Sequence, residues 1–395
     1  GKLSVPGDMT GPVSAQMILR DPSVDAAVME TARGGMLRSG LGFPECNVAG
    51  CINVTADHLG LGGIDTLEQL AEVKRVPIEI ATDAAVLNAD DPLCLQMADY
   101  TNAEKLSYVT MNPAHPLVKR HIQAGGQAFV LEQGMNGHLI TIYDNETHTP
   151  LVWTHLIPAT IEGRALHNVQ NAMFAAALGY NMNISLEDIR QGLRTFDSSF
   201  FQAPGRMNIY DEHPFRVILD YAHNPAAVQA MCDLVDRFET EGKRIVVLSA
   251  PGDRRDEDIR EIAKIASGHF DYFICRRDDN TRGRGEDEVA VMLKNRLLEE
   301  GISPDLIEVV PDEQEANTRA LEMAETGDLI LVLGDNVKRT WKQIIYFNSG
   351  SRVDNGGKKA AASIDLPEFE VFELADDLEI ISDERGVRIA RDEGD

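Results

Sequence analysis

The chain has 395 residues, of which 43% are apolar and 26% are charged, and this length predicts two or three domains with ordinary cores. Its 37 basic and 64 acidic residues give a formal net charge of −27, which argues against unspecific binding to nucleic acids or anionic membranes. No apolar run approaches the roughly 20 residues of a membrane span, and no secretory signal is visible, so we expect a cytoplasmic protein without nucleic-acid or membrane partners.

The first part of the chain alternates short apolar runs with helical patterns. The runs at residues 25–30, 47–54 and 84–87 predict buried strands, and residues 66–81 have apolar side chains at helical spacing. This alternation predicts an α/β domain with a mostly parallel sheet that helices cover on both faces. At residues 127–153, three short alternating runs predict a small antiparallel meander attached to that sheet.

A second strand–helix alternation begins after a Pro-Gly pair near residue 204. Its five strand candidates and four helical patterns are typical of a Rossmann-like unit. We therefore expect one domain at residues 1–203, a second at 204–348, and a linker with an acidic tail at 349–395. The tail still alternates apolar and polar residues, so we expect a small hairpin in it.

Polar residues follow the predicted strands of the first domain. Glu30 comes at the end of one strand, before Gly34 and Gly35, and Asp57 and His58 follow the next. Carboxylates and imidazoles at the C-terminal ends of parallel strands lie at the usual ligand edge of a sheet, where they can bind Mg²⁺ or orient a phosphate. A solvated strand end and a helix N-cap are the alternative interpretations.

Three further polar residues lie on predicted helices of the first domain. Lys74 is predicted on a mostly apolar helix face. Its amine can be a buried functional group, or its aliphatic stem can cover the apolar face while the amine reaches solvent. Asn168 and Asn171 share one helix face, and amide side chains can read the edge of a nucleotide base. Helix capping by Asn168 is the alternative.

The second unit has its own strand-end candidates. Arg206 precedes one strand, and Asp220 and His223 follow the next, at the start of a helix. An Asp in this position can accept hydrogen bonds from ribose hydroxyls, and an Arg can bind phosphate through two parallel hydrogen bonds. The basic stretch at residues 276–284 is interpreted as a solvated loop, with binding of an acidic polymer as the alternative.

Taken in chain order, these motifs resemble the Mur ligase superfamily, and within it the Mur-ligase-like region of cyanophycin synthetases. The most specific stretches are ETARGGMLRSGLGF, which starts at Glu30, and ADHLGLGGIDTLEQLA, which starts at Ala56. The resemblance spans about residues 7–345. It implies an enzyme in which ATP phosphorylates a carboxylate, an amine attacks the acyl phosphate to form an amide, and ADP and phosphate leave.

The resemblance also implies roles for the candidate residues. The first domain would be the central ATPase-type domain and the second the mobile C-terminal domain. Glu30, His58 and a carbamylated Lys74 would be the catalytic residues and the Mg²⁺ ligands. The residues that would contact the adenine, ribose and phosphates of ATP are Asn168, Asn171, Arg206, Asp220 and His223.

One motif of the superfamily is missing from the sequence. No G-x-x-G-K-[ST] phosphate loop occurs, since the three Gly-Lys pairs are followed by Leu3, Arg244 and Lys359. We therefore expect that the chain starts after this loop and that, by itself, it binds and hydrolyses ATP poorly.

The resemblance favours arginine and an aspartate chain as substrates, and we expect self-association. Two alternatives stay open. One is another Mur-like or folylpolyglutamate-synthase-like ligase with a different acid and amine, and the other is a non-catalytic module for assembly or polymer binding.

Overall fold

The computed structural model describes residues 9–57, 59–348 and 364–391, which form two six-stranded sheets and one two-stranded hairpin. No helix in these ranges is long and apolar enough to cross a membrane. The strands are β1 Cys46–Cys51, β2 Ala81–Asn88, β3 Lys105–Thr110, β4 Gln127–Gly134, β5 Gly137–Asp144, β6 Thr147–Trp153, β7 Asn208–Tyr210, β8 Arg216–Asp220, β9 Arg244–Leu248, β10 Tyr272–Cys275, β11 Ile307–Val309, β12 Leu329–Leu333, β13 Leu378–Asp383 and β14 Gly386–Arg391. The α-helices are α1 Pro12–Leu19, α2 Arg33–Ser39, α3 Leu67–Glu79, α4 Pro92–Gln96, α5 Pro116–Gln123, α6 Leu166–Asn181, α7 Leu186–Thr195, α8 Pro225–Asp236, α9 Asp256–Ser267, α10 Glu288–Glu299, α11 Glu313–Met323 and α12 Val337–Tyr346.

The first sheet has the strand order β1-β2-β3-β4-β5-β6. Strands β1 to β4 pair in parallel, and β4, β5 and β6 pair antiparallel, which confirms the predicted meander. One face of the sheet packs against α3, α4 and α5, and the other packs against α6 and α7. Because helices cover both faces, ligands can reach this sheet chiefly at its strand ends.

The second sheet has the strand order β11-β10-β9-β12-β8-β7. All its strands pair in parallel except β7, which lies antiparallel to β8 at one edge. Helices α8, α9 and α10 cover one face, and α11 and α12 cover the other. The predicted α/β class, with two mostly parallel sheets, is therefore confirmed.

Side-chain caps determine where several helices begin. Thr66 accepts a hydrogen bond from the backbone N–H of Gln69 and forms a full capping box with it at the start of α3. Ser185 caps α7, as its sequence position predicts. Asn224 caps α8 only four residues after the end of β8, so the loop between them is short and lies at the strand-end edge of the second sheet.

The strand predicted at residues 25–30 is wrong. This segment has no regular structure, and both Val28 and Glu30 are exposed. In the described part of the chain β1 is the edge strand of the first sheet, and it pairs only with β2. An apolar run forms a strand only when a neighbouring strand takes up its backbone hydrogen bonds, and this segment has no such neighbour among the described residues.

The acidic tail contains the hairpin that its alternating pattern predicts. Strands β13 and β14 pair antiparallel and pack against the first unit, where Val387 and Ile389 join the core around β3 and α5. The buried ring of His121 lies 3.0 Å from the backbone nitrogen of Val387, and Arg388 forms an ion pair with Asp99. The linker at 349–363 lies outside the described residues.

Candidate functional site

The strand-end edges of the two sheets meet at an ion pair. Asp57 lies in the loop after β1, and Arg254 lies in the loop after β9. The Arg254 guanidinium is 2.8 Å from the Asp57 carboxylate, and only 3% of the Arg254 side chain is exposed. The next residues of the two loops also lie side by side. The Arg255 side chain packs so close to Gly60 that a Cβ atom built on Gly60 would be 3.5 Å from it. The loops at the C-terminal ends of β1 and β9 therefore contact each other directly.

A second contact joins the units beside the start of α6. Ala165 is fully buried in the core of the second unit, together with Ala222 and Val228. The neighbouring His167 lies near Asp233 of α8 and near Arg237, which directly follows α8, and burial lowers the pKa of His167 to about 4. The imidazole is therefore neutral at pH 7, as an apolar interface requires.

The structure brings the predicted nucleotide residues of the second unit together. Asp220 ends β8 and is 7% exposed, and its carboxylate accepts a hydrogen bond from the Met207 backbone N–H at 2.8 Å. Burial raises the pKa of Asp220 to about 6, although this N–H and the charge of Arg206 act in the opposite direction. At neutral pH the group is thus a carboxylate that can accept hydroxyl hydrogen bonds.

The neighbours of Asp220 are more accessible. Arg206 is exposed and lies 5.7 Å from the centre of the Tyr221 ring, and no described carboxylate is within ion-pair distance of it. The half-buried His223 ring has its Nδ1 2.8 Å from the Tyr221 carbonyl oxygen. Burial, and then the charges of Asp335 and Asp278, raise the pKa of the Tyr221 hydroxyl. Arg206 and Tyr221 thus contact each other close to the buried carboxylate, and its pKa responds to the Arg206 charge.

The predicted residues of the first unit are less closely grouped. Glu30 lines a cavity of about 410 Å³ whose walls come only from residues 9–43. Lys74 is half-buried on α3, and its Nζ donates a hydrogen bond to the Asn53 carbonyl oxygen at 3.0 Å. Neither Lys74 nor any residue of the second unit lines this cavity. His58 lies outside the described residues.

The described residues do not assemble a metal site. No group of three or more His, Cys, Asp or Glu side chains among residues 9–57, 59–348 and 364–391 is placed to hold a metal ion. The Lys74 amine donates a hydrogen bond to the Asn53 carbonyl oxygen. The donor set in the described residues thus does not fit the Mg²⁺ that the family resemblance implies.

The two predicted adenine contacts form a pair on α6. The Asn168 amide donates to the Ala159 carbonyl oxygen at 2.7 Å, and the Asn171 amide donates to the Asn168 Oδ1 at 3.0 Å. Capping by Asn168 is excluded because Ala165 is the N-cap residue. Asn168 thus positions Asn171, which is exposed and free to contact a ligand.

The sequence did not reveal a buried ion network behind the strand-end edge of the second unit. The interpretation of residues 276–284 as a solvated loop is wrong for Arg276, which is fully buried. Its guanidinium lies 3.2 Å from the equally buried Glu313, the first residue of α11, and bonds to the Leu333 carbonyl oxygen. Glu313 also pairs with Arg339.

This network fixes the loops that follow β10 and β12. Glu313 accepts the backbone N–H of Asp335 at 2.7 Å, and Asp335 accepts the N–H of Asp279 at 3.0 Å. Asp253 binds Arg282 through two hydrogen bonds of 2.7 and 2.8 Å. The carboxylates of these loops are therefore held in place by paired charges. The only sequence signal for this was an arginine directly after a buried strand.

Two family models match the chain in succession. The Mur ligase middle domain matches residues 9–179, and the Mur ligase glutamate ligase domain matches residues 205–336. The two matched ranges correspond to the units built around the first and the second sheet.

Curated relatives extend the similarity. The cyanophycin synthetase of Trichormus variabilis is 45% identical over 341 residues, which is 86% of this chain and 37% of that protein. The cyanophycin synthetase of Synechocystis sp. is 43% identical over 335 residues, which is 84% of this chain and 38% of that protein. The chain thus spans somewhat more than a third of the length of these relatives.

A solved structure shares the fold. E. coli FolC in complex with DHPP and ADP superposes with a TM-score of 0.54 at 19% identity, over 76% of this chain and 62% of that chain. At this level of identity the likeness concerns the fold alone.

Proposed function

Since the chain belongs to the Mur ligase superfamily, we propose that it forms the central and C-terminal parts of an ATP-dependent ligase. ATP phosphorylates a carboxylate of the acid substrate, and an amine then attacks the acyl phosphate to form an amide bond. The proposed domains are residues 1–203 and 204–348, followed by the linker and acidic tail at 349–395. The identity to cyanophycin synthetases supports this assignment over a non-catalytic role.

One observation carries the proposal: the Asp57–Arg254 ion pair, which joins the strand-end loops of the two sheets. A substrate bound where these loops meet would be enclosed from both sides. Exclusion of water there protects an acyl phosphate from hydrolysis and strengthens the electrostatic interactions that stabilise the reacting groups. In related folds, ligands bind at this edge of the sheet.

The residues around this edge have the chemistry that a nucleotide requires. We assign Asn171, positioned by Asn168, to the adenine base, since an amide can both donate to and accept from a base edge. Asp220 accepts hydrogen bonds from the ribose hydroxyls, and Arg206, whose guanidinium forms no ion pair with a described carboxylate, binds a phosphate. We assign His223, which lies beside Tyr221, to a further contact with the nucleotide. The two Mur ligase domain matches support an adenine nucleotide as the ligand, because ATP is the cosubstrate that the family resemblance implies.

Magnesium belongs to the same proposal, although the donor set in the described residues does not fit the ion. The assignment of Glu30, His58 and a carbamylated Lys74 as its ligands stays a prediction, and so does the low ATP affinity expected of a sequence without a phosphate loop. The cytoplasmic location and self-association are likewise proposals.

We assign arginine as the amine substrate and an aspartate chain as the acid. Asp278 and Asp335 lie close enough to Tyr221 to raise its pKa, so the second unit presents fixed negative charge at the proposed site. Fixed carboxylates suit a guanidinium because it binds them through two parallel hydrogen bonds. The family resemblance implies the same substrates, and the relatives with 45% and 43% identity are named cyanophycin synthetases.

The test is amine-dependent ADP release by the complete gene product, with an aspartate polymer as the acid. We expect release with arginine, little with lysine and none with diaminopimelate, because only the guanidinium can form paired hydrogen bonds to carboxylates. Release that depends on diaminopimelate or glutamate and not on arginine would favour another Mur-like ligase. No release with any amine would favour a non-catalytic module.

A matched pair of variants tests the contact between the units. Arg254→Ala removes the ion pair between the units, whereas Arg244→Ala removes a 2.7 Å ion pair to Asp236 within the second unit. We expect a loss of arginine-dependent ADP release only for Arg254→Ala. Equal activity of both variants would contradict a site at the junction.

A further inference from the structure

Two buried thiols lie in contact on the inner side of the strand-end loop of the first unit. Cys51 is the last residue of β1, and Cys94 is the third residue of α4. Their sulfur atoms are 3.4 Å apart, and the Cys94 thiol donates a hydrogen bond to Cys51. Cys51 is 6% exposed and Cys94 is fully buried. The two residues are distant in sequence and form no C-x-x-C motif, so only the fold brings them together.

The backbone around the two thiols is firmly held. Asp91 caps α4 by accepting the backbone N–H of Cys94 at 3.0 Å, and its other oxygen accepts the N–H of Val54 at 2.7 Å. One carboxylate thus ties the start of α4 to the loop after β1. Lys74 ties the same loop to α3 through its hydrogen bond to the Asn53 carbonyl oxygen. The two sulfur atoms are held in contact by elements on both sides of them.

We propose that Cys51 and Cys94 form a redox-sensitive pair that closes to an intramolecular disulfide when the protein meets a peroxide. A disulfide requires the sulfurs to approach to about 2.0 Å, and rotation about the two Cα–Cβ bonds can supply this movement from van der Waals contact. The other cysteines, Cys46, Cys232 and Cys275, make no contact with another sulfur. The proposal is independent of the ligase activity.

The reaction with hydrogen peroxide balances without any other reactant. The Cys51 sulfur attacks one peroxide oxygen, so that an S–O bond forms, the O–O bond breaks and the leaving hydroxide takes up the thiol proton as water. The Cys94 sulfur then attacks the Cys51 sulfur, the S–S bond forms and the S–O bond breaks. The second oxygen leaves as water with the proton of Cys94. Both sulfurs are oxidised, and one peroxide is reduced to two waters.

Cys51 is the thiol expected to react first. The hydrogen bond that Cys94 donates lowers the pKa of the Cys51 thiol, although burial acts in the opposite direction. Its neighbours Ile52 and Asn53 are exposed, so a molecule as small as peroxide has a short path to it. The loop beside it also carries Asp57, so the disulfide would cross-link β1 and α4 directly behind the contact between the units.

Peptide mapping of the native chain tests the pair without any substitution. The reduced, folded chain is treated with hydrogen peroxide, its remaining thiols are alkylated, and the protein is digested and analysed by mass spectrometry. We expect a peptide pair joined through Cys51 and Cys94, a mass lowered by two hydrogen atoms, and a fall in free thiols from five to three. A thiol reductant restores all five.

Matched variants separate a specific pair from general thiol oxidation. Cys51→Ser and Cys94→Ser each abolish the linked peptide, whereas Cys232→Ser and Cys275→Ser, at equally buried sites, retain it. If a variant fails to fold, the mapping of the unsubstituted chain still decides. A folded chain in which Cys51 and Cys94 stay reduced, or in which oxidation links other cysteines or gives only sulfinic acid, overturns the proposal.

Discussion

The strand-end edge of the second unit and the segment before β1 in the first unit hold their carboxylates in opposite ways. In the second unit, Glu313 and Asp220 are buried and each accepts backbone N–H groups. In the first unit, Glu30 is exposed on an irregular segment beside a cavity. The carboxylates of the second unit are thus held by hydrogen bonds, while Glu30 has no hydrogen-bond partner among the described residues.

This difference shows for which site residues a local sequence pattern predicts the position correctly. A carboxylate at the end of a strand with neighbours on both sides has a fixed position, because the sheet determines where the strand ends. Strand β8 lies between β12 and β7, so Asp220 is held in place at the C-terminal end of its strand. The segment before β1 has no neighbouring strand among the described residues. No sheet therefore determines where Glu30 lies, although its sequence pattern resembles that of Asp220.

The largest expected effect compares Glu313 with Glu30. Glu313→Ala removes the nearer of the two carboxylates that pair with the buried charge of Arg276, and removal of one partner of a buried ion pair typically costs about 3–5 kcal/mol of unfolding free energy. Glu30→Ala, at an exposed position, should leave the unfolding free energy nearly unchanged. Urea unfolding of both variants measures this. Equal losses would contradict the contrast between the two regions.

Lys74 tests whether the first unit has a hidden functional site. If Lys74 is carbamylated, Lys74→Ala in the complete gene product should lower turnover by roughly 10²–10³, the usual effect of losing a group that stabilises the transition state. Acetate should restore part of the activity, because it replaces the lost anionic oxygens. Lys105→Ala, at the exposed start of β3, serves as the control. A mild loss without rescue would indicate only the observed hydrogen bond to Asn53.

The pH dependence of stability distinguishes two carboxylates of the second unit. Burial raises the pKa of Asp220 from 3.8 to about 6, so the wild type loses stability relative to Asp220→Asn as the pH rises from about 4 to 6. A shift of about two pKa units corresponds to a change of about 3 kcal/mol in the unfolding free energy. Unfolding measured at several pH values should show this divergence.

Asp253 is the control, because its pKa is shifted in the opposite direction to that of Asp220. Its hydrogen bonds to Arg282 hold its pKa below the usual value, against the effect of burial. The wild type should therefore gain stability relative to Asp253→Asn as the pH rises through the unfolded pKa, and lose that advantage as the pH falls. Parallel curves for Asp220→Asn and Asp253→Asn would contradict the different environments assigned to them.

The smallest expected effect concerns Arg206. Arg206→Ala in the complete gene product should raise the KM for ATP about tenfold to a hundredfold, because one charge-assisted hydrogen bond contributes about 1–3 kcal/mol. Arg216→Ala removes an arginine of the same unit that pairs with Asp211, and it should leave the KM unchanged. Steady-state kinetics at saturating arginine measures both. An unchanged KM for Arg206→Ala would remove this residue from the nucleotide site.

Local patterns predicted much of the fold. Alternating apolar residues identified the meander of β4, β5 and β6, and the capping residue Ser185 marked the start of α7. The position of Asp220 followed from a strand–turn–helix pattern, and that of Arg206 from its place just before a strand. These features depend on residues that are close in sequence, so a single sequence contains the necessary information.

Features that depend on distant residues escaped prediction. The burial of Arg276, in the loop after β10, requires Glu313 at the start of α11. The contact of Cys51 with Cys94 requires the packing of α4 against the end of β1. The strand predicted at residues 25–30 failed for the same reason, since a strand needs a partner that its own sequence does not specify. Asp57 was noted as a strand-end residue, but its partner Arg254 was not foreseen.

A structure of the complete gene product with a non-hydrolysable ATP analogue tests the central claim most directly. We predict that the base contacts Asn171, the ribose contacts Asp220 and a phosphate contacts Arg206, with the Asp57 and Arg254 loops enclosing the site from both units. A nucleotide bound to one unit alone, or an Asp220 and Arg206 pair facing away from the bound analogue, would contradict a site built at the junction of the two strand-end edges.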